Sequence, residues 1–273
     1  MDGTATWPRT RALINPRAGE ARFRYAAIPP DDALAAFVAH YWMVTWDLDG
    51  QEPHRQQVMP HPRVNMTFMA GRCRVAGVVR GHFAELLSGT GRVVGVSFRP
   101  GGFRPLLGAP AATITDRFLP VADVFGALGA AACTAIVAAP DDEAVAELAG
   151  FLRRVVPDPD PTVDLVDGIV AAVAADPTVT RVSALAATAG LSARRLQRLF
   201  HEYVGVGPKW VVRRYRMHEA AARVADGEAV DWAELADALG YADQAHFTRD
   251  FTATVGLSPA RYARECARSA DEG

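Results

Sequence analysis

The last hundred residues contain two stretches with the same order of apolar, glycine and aromatic positions. The first copy consists of Leu185-Ala186, Gly190, Phe200, Gly205 and Pro208. The second copy, with one extra residue before its phenylalanine, consists of Leu235-Ala236, Gly240, Phe251, Gly256 and Pro259. A period of about 50 residues indicates one supersecondary unit used twice. Each copy is typical of two helices joined by a glycine turn, the arrangement of a helix-turn-helix.

In the first copy, apolar residues at three- and four-residue steps predict one buried face on each helix. Gly190 ends the first helix, because glycine adopts a left-handed conformation without strain. Ser192 stands where its hydroxyl can cap the second helix. The buried positions of that second helix are Leu196, Leu199, Phe200 and Tyr203.

The opposite face of this second helix is basic and polar, with Arg194, Gln197, Arg198 and His201. Arginine can make a bidentate contact to guanine, and glutamine to adenine. The pattern therefore predicts a helix that reads the major groove of DNA. The alternative is a basic face that is only solvated.

The second copy repeats this pattern with fewer cations. Asp243 is the predicted cap, and Phe247 and Phe251 are predicted to face the core. The residues predicted to face outward are Gln244, Ala245, Thr248 and Arg249. We expect this helix to contribute less to specificity. His246 either contacts DNA or packs against the domain.

A long helix is predicted between the two units, from Pro208 to about Arg223, because proline suits the first turn of a helix. One side should be buried, and Arg213, Arg214 and Arg216 should line another side. A rigid helix would fix the separation of the units. Spacing near one turn of DNA, roughly 34 Å, would let both enter one DNA face.

Upstream, aromatic and β-branched runs at residues 40–46, 64–69 and 93–98 predict strands. Alanine-rich helices follow over residues 122–155, broken near Pro140. The fold class is therefore α+β: an N-terminal small β-barrel or curled sheet with a helical pair, and a C-terminal all-α domain with two helix-turn-helix units. Alternating proline and aspartate mark residues 157–161 as a linker between domains 1–156 and 162–273.

The segments LAATAGLSARRLQRLFHEYVGVGPKWVVRRYRMHEAA and LADALGYADQAHFTRDFTATVGLSPARY resemble the AraC/XylS family of bacterial transcriptional regulators. The resemblance implies a DNA-binding domain of about seven helices with two recognition helices. It implies double-stranded DNA as a partner, with RNA polymerase as a further candidate. The predicted DNA-binding residues are Ser192, Ala193, Arg194, Arg195, Gln197, Arg198, Gln244, Ala245, Thr248 and Arg249.

The stretches HYWMVTWDL and GVSFRPGGFRPLLG resemble the effector-type N-terminal domain of some family members. That resemblance implies an unknown small-molecule effector. The candidate ligand-binding residues are Trp42, Trp46, Phe68, Phe98 and Arg99. The alternatives are that these aromatic residues are plain core and that Arg99 begins a tight turn.

Length, charge and cysteine content refine this picture. A chain of 273 residues predicts about two domains, and its net charge of −2 hides a basic C-terminal part. Residues 178–268 carry 13 Lys+Arg and 10 Asp+Glu, so DNA affinity must come from local arrangement. Three scattered cysteines and an N-terminus without a signal-peptide core predict a cytoplasmic protein. The apolar run over residues 124–140 is too short for a typical membrane span of about 20 residues.

Few residues of the N-terminal part suggest chemistry. The spacings of His40, His54, His61, His82 and Cys73 match no standard zinc pattern, so no metal and no cofactor are expected. No nucleophile elbow, phosphate-binding loop or dinucleotide fingerprint is present, so no enzyme is expected.

The leading hypothesis is a DNA-binding transcriptional regulator, controlled by a small molecule or by dimerisation. The alternative is an N-terminal metal-sensing or enzymatic module that the DNA-binding domain targets. For the homodimer, the predicted interface is a helical patch with Leu148, Phe151 and Leu152, and the competing possibility is that this patch covers the protein's own sheet.

Overall fold

The computed structural model describes residues 22–228 and 230–271. Strands occupy the N-terminal part of this range, as the aromatic and β-branched runs predict. They are β1 Arg24–Ile28, β2 Val38–Leu48, β3 His54–Val58, β4 Asn65–Met69, β5 Arg72–Ala76, β6 Phe83–Leu87, β7 Gly89–Phe98 and β8 Phe118–Pro120.

Most of these strands form one antiparallel sheet in the order β1-β2-β7-β4-β5-β8, while β3 and β6 pair separately. The larger sheet is open, since no hydrogen-bonded pairing joins β1 to β8 among the described residues. The closed-barrel alternative is therefore wrong for this part of the chain. The strand β8 is only three residues long and ends at Pro120, which has no N–H to donate, and a helix begins at once after it.

Two helices cover one face of the sheet: α2 Val121–Ala138 and α3 Ala144–Val155, which follow a short helix α1 Arg104–Leu107. Met66, Phe68, Val94, Val96 and Phe98 alternate inward along β4 and β7 and form the core with these helices. Period-two alternation places these side chains on one face, so the sheet and the helices bury a common layer.

The helix α3 does not offer the self-complementary patch that the sequence suggested. Leu148, Phe151 and Leu152 are each at most 1% exposed and belong to the core beneath the sheet. The apolar face of this amphipathic helix is buried against the sheet of the same chain. The predicted dimer interface on α3 is therefore wrong.

The helix α2 is the one helix of the described residues that is long and apolar enough to span a membrane. It is interrupted at Gly126, where φ is 58° and ψ is −140°, and the regular stretch after this break covers residues 127–138. That stretch is well below the span of about 20 residues that a bilayer requires. Val121, Ala132 and Ile136 attach α2 to the core, so it is a surface helix of the N-terminal half.

The C-terminal part is helical throughout the described residues. Its helices are α4 Pro161–Ala175, α5 Val182–Thr188, α6 Ala193–Tyr203, α7 Pro208–Ala225, α8 Trp232–Ala238, α9 Gln244–Val255 and α10 Pro259–Asp271. Two cores hold these helices together. One, centred on Phe200, joins α4, α5, α6 and the start of α7, and the other, centred on Phe251, joins the end of α7 with α8, α9 and α10.

Residues 156–160 connect the two halves between the end of α3 and the start of α4. Asp160 caps α4 by accepting a hydrogen bond from the backbone N–H of Thr162 at 2.8 Å. Its other carboxylate oxygen accepts a hydrogen bond of 2.6 Å from the Tyr203 hydroxyl. The connection is therefore anchored at its C-terminal end to α6.

The N-terminal half also contributes directly to both C-terminal cores. Val78, after β5, is 1% exposed and packs in the core around Phe200, and Met59, after β3, is 1% exposed and packs in the core around Phe251. The N-terminal half therefore completes both apolar cores of the C-terminal half.

The equivalent glycines of the repeat, Gly205 and Gly256, are further points of contact. The Gly205 carbonyl accepts a hydrogen bond of 2.7 Å from the Thr115 hydroxyl. A Cβ on Gly205 would lie 2.8 Å from the hydroxyl oxygen of Thr115. A Cβ on Gly256 would lie 2.8 Å from the side-chain nitrogen of Gln57. The N-terminal half thus touches the same turn in both repeats.

Candidate nucleic-acid interface

Helix α6 is held by apolar anchors on one side and is open to solvent on the other. Leu196 and Phe200 are fully buried, while Ser192 and the first turn are exposed. The Ser192 hydroxyl accepts a hydrogen bond of 3.2 Å from the backbone N–H of Arg195, the cap that the sequence predicts. Gly190 has a φ of 65°, so the turn before the cap uses the conformation that glycine favours.

The exposed face of α6 carries a compact group of cations and one amide. All of its residues are exposed to solvent: Ala193, Arg194, Arg195, Gln197, Arg198 and His201. The ion pairs found among residues 22–228 and 230–271 leave the three arginines of this face without a carboxylate partner. The nearby Glu202 instead pairs with Arg104 of α1, at 2.6 Å. The acid of this helix is therefore turned away from the exposed cations, and the face is positively charged.

Helix α9 presents an equivalent but less basic face. Asp243 caps it by accepting a hydrogen bond of 2.7 Å from the backbone N–H of His246. Phe247 and Phe251 are fully buried. Of the predicted contact residues, Gln244, Ala245 and Arg249 are exposed and Thr248 is half-buried.

Packing within the second unit draws two side chains away from this face. The His246 ring stands edge-on to Tyr241 at 5.0 Å between centroids, so it is half-buried against the domain. Asp250 lies 3.7 Å from the Arg213 guanidinium, which itself covers the Tyr241 ring at 4.1 Å. Because Asp250 pairs with Arg213, it does not neutralise Arg249, its neighbour in the sequence.

The long helix α7 differs from its predicted amphipathic pattern. Arg214 and Arg216 are only 2% and 3% exposed, so they do not line an open side of the helix. The Arg214 guanidinium donates to the backbone carbonyl of Arg80 and lies 4.5 Å from the Trp210 ring centroid. Burial lowers the pKa of Arg214 to about 10. The N-terminal half covers this side of the helix, which helical periodicity alone could not indicate.

Arg216 is the second buried cation of α7. It donates to the backbone carbonyl of Val173 in α4 and forms an ion pair of 2.7 Å with Glu219. These contacts tie α7 to α4. They also supply the charge partner and the hydrogen-bond acceptor that a buried guanidinium needs.

The candidate ligand-binding residues do not form one pocket. Phe68 and Phe98 are core residues beneath α2 and α3. Trp42 and Trp46 lie on the opposite face of the sheet, in register with Gly95 and Gly91 of β7. A Cβ on either glycine would come within 2.4 Å of the facing indole, so the glycines make room for the rings.

Arg99, at the end of β7, joins the two halves. Its guanidinium forms ion pairs with Asp164 and Asp167 of α4, each at 2.9 Å. It also donates to the backbone carbonyls of Ala35 and Ala36 at 3.3 Å. These contacts account for the donors of Arg99 and leave it no evident role toward a ligand.

The histidines and Cys73 that the sequence offered as metal ligands are dispersed. No group of three or more His, Cys, Asp or Glu side chains with metal-binding geometry occurs in the described part of the chain. His82 contacts the Ala253 carbonyl, through its backbone N–H at 3.0 Å and its ring at 3.3 Å. His61 stacks on His218 of α7, with ring centroids 4.2 Å apart. Both contacts join the halves of the molecule, and nothing in the local sequence signals them.

Family models match parts of both halves of the chain. A family model described as a domain of unknown function (DUF6597) matches residues 26–120, and one described as a helix-turn-helix domain matches residues 185–265. The transcriptional activator NphR of Rhodococcus sp. is 30% identical over 240 residues, which are 87% of this chain and 62% of that protein. The chain therefore spans about three fifths of the length of this relative.

The similar solved structures have lower sequence identity to this chain than NphR has, and their TM-scores are low. A transcriptional regulator of Chromobacterium violaceum with an AraC-type DNA-binding domain is 20% identical, covers 38% of this chain and 94% of that chain, and has a TM-score of 0.33. ToxT of Vibrio cholerae O395 is 13% identical, covers 89% of this chain and 98% of that chain, and has a TM-score of 0.39.

The sequence matches extend over both halves of the chain. The helix-turn-helix match begins at Leu185 and ends at Glu265, so it includes both copies of the repeat. The identity with NphR extends over 240 residues and so reaches well beyond the C-terminal domain. Together, the helix-turn-helix match and the identity with NphR support the resemblance of this chain to the AraC/XylS family of bacterial transcriptional regulators.

Proposed function

We propose that the chain is a cytoplasmic, non-enzymatic transcriptional regulator that binds double-stranded DNA through two helix-turn-helix units, with α6 and α9 as recognition helices. The observation that carries the proposal is the exposed face of α6, where Arg194, Arg195 and Arg198 lie beside Gln197 without carboxylate partners among the described residues. Bidentate guanidinium and amide groups on a capped helix are suited to guanine and adenine edges.

The two recognition helices have unequal roles in this proposal. The α6 face carries three exposed arginines, and the α9 face carries Arg249 alone. We assign the principal base contacts to α6 and a supporting role, with contacts to phosphate and a few bases, to α9. Ala193 and Ala245 fit contact with thymine methyl groups.

The test uses the full chain and a random double-stranded library, from which selection gives the preferred duplex. Arg198→Ala should weaken binding to that duplex by roughly 1–3 kcal/mol and relax preference at one or two positions. Anisotropy measurements at one fixed salt concentration compare it with Arg154→Ala, an exposed arginine of α3. An equal loss on selected and random duplexes would make Arg198 a phosphate contact, and no loss would remove it from the interface.

We infer that the N-terminal half controls DNA binding by positioning both recognition helices. It contacts Gly205 after α6 and Gly256 after α9, so a shift within it acts on the turn that follows each helix. Thr115→Val removes the hydrogen bond to the Gly205 carbonyl while keeping the side-chain shape. It should reduce affinity for the selected duplex by a few fold, whereas the exposed Thr113→Val should not. Equal affinities for the two variants would argue against positioning through this contact.

A small-molecule effector is the second part of the control proposal. The sheet face with Trp42 and Trp46 offers half-exposed indole rings over glycine backbone, a surface suited to a flat or apolar ligand. A thermal-shift screen of metabolites should give hits whose effect disappears in Trp42→Leu. Hits that shift the variant as much as the wild type would place the ligand elsewhere.

We also propose a homodimer, through α2 instead of α3. Ala127, Leu128, Ala131 and Ala135 share one face of α2 and are all exposed, and the stretch 127–138 has no charged residue. Leu128→Glu should give a folded monomer in light scattering, while Leu165→Glu, a similarly exposed leucine of α4, should remain dimeric. Wild-type protein that is monomeric at micromolar concentration, with and without DNA, would contradict the proposal.

A further inference from the structure

Cys73 and Cys133 lie far apart in the sequence and together in the structure. Cys73 is on β5 and Cys133 is on α2, and both side chains line the same groove between these elements. Both are half-buried, whereas Cys266 is buried in the core around Phe251. The fold thus brings together two of the three cysteines, although neither belongs to a CxxC motif.

The two sulfur atoms line a groove between the sheet and α2. The groove has a volume of about 610 Å³ and is open to solvent. The β4–β5 hairpin forms one wall with Met69, Gly71 and Arg72, and α2 forms the other wall with Thr134 and Val137. A small polar oxidant can therefore reach the cysteine pair without opening of the core.

The residues around Cys73 and Cys133 favour a reaction between the two thiols over a metal site. A structural metal site usually takes four ligands, and no third His, Cys, Asp or Glu joins this pair among residues 22–228 and 230–271. Burial, together with the nearby Cys73 thiol, raises the pKa of Cys133 to about 12. Cys133 therefore keeps its proton at neutral pH, which assigns first attack to the Cys73 sulfur.

We propose that Cys73 and Cys133 are a peroxide-sensitive dithiol that forms a reversible disulfide between β5 and α2. The Cys73 thiolate attacks one oxygen of hydrogen peroxide, which breaks the O–O bond and yields a sulfenic acid and hydroxide. The Cys133 sulfur then displaces the sulfenic hydroxyl, and its proton leaves in water. The balance is two thiols and one peroxide to one disulfide and two waters.

The packing of the two elements is compatible with this bond. Helix α2 lies directly against β5, and a disulfide requires Cα atoms about 4.4–6.8 Å apart. Helix α2 is interrupted at Gly126, so the segment that carries Cys133 can approach β5 without moving the first turn of the helix. Oxidation would narrow the groove and fix α2 to the sheet.

The test needs no DNA, so its result is independent of the proposed function. Folded, fully reduced full-length protein is treated with hydrogen peroxide, alkylated and digested without reductant. Mass spectrometry should find a peptide that links Cys73 to Cys133, lower in mass by two hydrogens than the two free peptides, and dithiothreitol should release it. Cys266→Ser should give the same linked peptide in the same yield.

Single variants test the order of the two steps. Cys133→Ser should accumulate a sulfenic acid on Cys73 that dimedone traps, while Cys73→Ser should not be labelled on Cys133. Wild-type protein that stays folded by circular dichroism but gives no linked peptide would overturn the inference. Linkage of Cys73 to Cys266, or linkage only between chains, would overturn it as well.

Discussion

Arg214 is a buried cation at the junction of the two halves of the molecule. In the sequence it belongs to a run of cations that suggests contact with DNA. In the structure it is buried between α7 and the N-terminal half, against Trp210 and the carbonyl of Arg80. Its lowered pKa follows from that burial. The difference depends on a partner surface about 130 residues away in the chain, which no local pattern encodes.

Replacing this guanidinium should therefore affect folding before it affects DNA. Arg214→Ala leaves the Arg80 carbonyl without its donor and opens a gap beside Trp210. We expect it to lower the free energy of unfolding by roughly 2–4 kcal/mol. The exposed Lys209→Ala on the same helix is the control and should change it by less than about 0.5 kcal/mol. Urea denaturation measures both, and similar midpoints would contradict the structural role.

At the scale of elements, the recognition helices depend on their caps. Ser192→Ala and Asp243→Ala should each cost about 1 kcal/mol of stability, because each leaves a first-turn N–H of α6 or α9 without its acceptor. Ser183→Ala, exposed within α5, is the matched control and should cost little. Urea midpoints decide between these outcomes, and equal loss at Ser183 would show that the hydroxyl does not act through a cap.

Local signals explain why the C-terminal helices were predictable. Ser192, Gly190, Asp243 and Gly240 act on their immediate neighbours, so their residue types indicate where helices begin and end. The exposed arginines of α6 followed from the same periodicity. In the N-terminal half the sequence indicates strands but not their pairing, since β7 lies between β2 and β4, and this order depends on contacts distant in the chain.

The same reason explains what was missed at the candidate sites. The aromatic residues Trp42 and Phe68 were grouped by composition, whereas strand register places them on opposite faces of the sheet. The patch on α3 has the right spacing for an interface, but spacing cannot distinguish a partner subunit from the protein's own sheet. Cys73 and Cys133 come together only because α2 packs against β5.

For the whole molecule, the stacked pair of His61 and His218 makes the junction sensitive to acid. Burial, with the nearby His218, Arg63, Arg214 and His40, holds the pKa of His61 well below its ordinary value of 6.5. The unfolded chain binds a proton near pH 6.5 and the folded chain does not. Stability from this group is therefore complete above pH 6.5 and is lost as the pH falls below it.

The expected loss from His61 is up to about 2 kcal/mol between pH 6.5 and pH 5. His61→Leu should flatten the fall in unfolding free energy over this range, whereas the exposed His201→Leu should leave it unchanged. Urea titrations at several pH values provide the measurement. Parallel curves for the two variants would show that His61 is not responsible.

A fragment that contains only residues 161–273 tests how far the halves are independent. It retains most of the cores around Phe200 and Phe251, so we expect it to fold and to bind DNA more weakly than the full chain. It lacks Val78 and Met59, which complete those cores, and its stability should fall accordingly. Circular dichroism that shows an unfolded fragment would place the domain boundary elsewhere.

The contacts between the N-terminal half and the helical domain also limit how this DNA-binding domain can be combined with other N-terminal domains. A hybrid joined at residues 156–160, with the sensing half of another regulator, would keep the recognition helices intact. In such a hybrid, Arg214 would lack its hydrogen-bond acceptor, the carbonyl of Arg80. The turns at Gly205 and Gly256 would lack their contacts with Thr115 and Gln57. Transplanting the DNA specificity of this chain therefore means transplanting the surface that faces α7 as well, so the practical unit of exchange is larger than the DNA-binding domain.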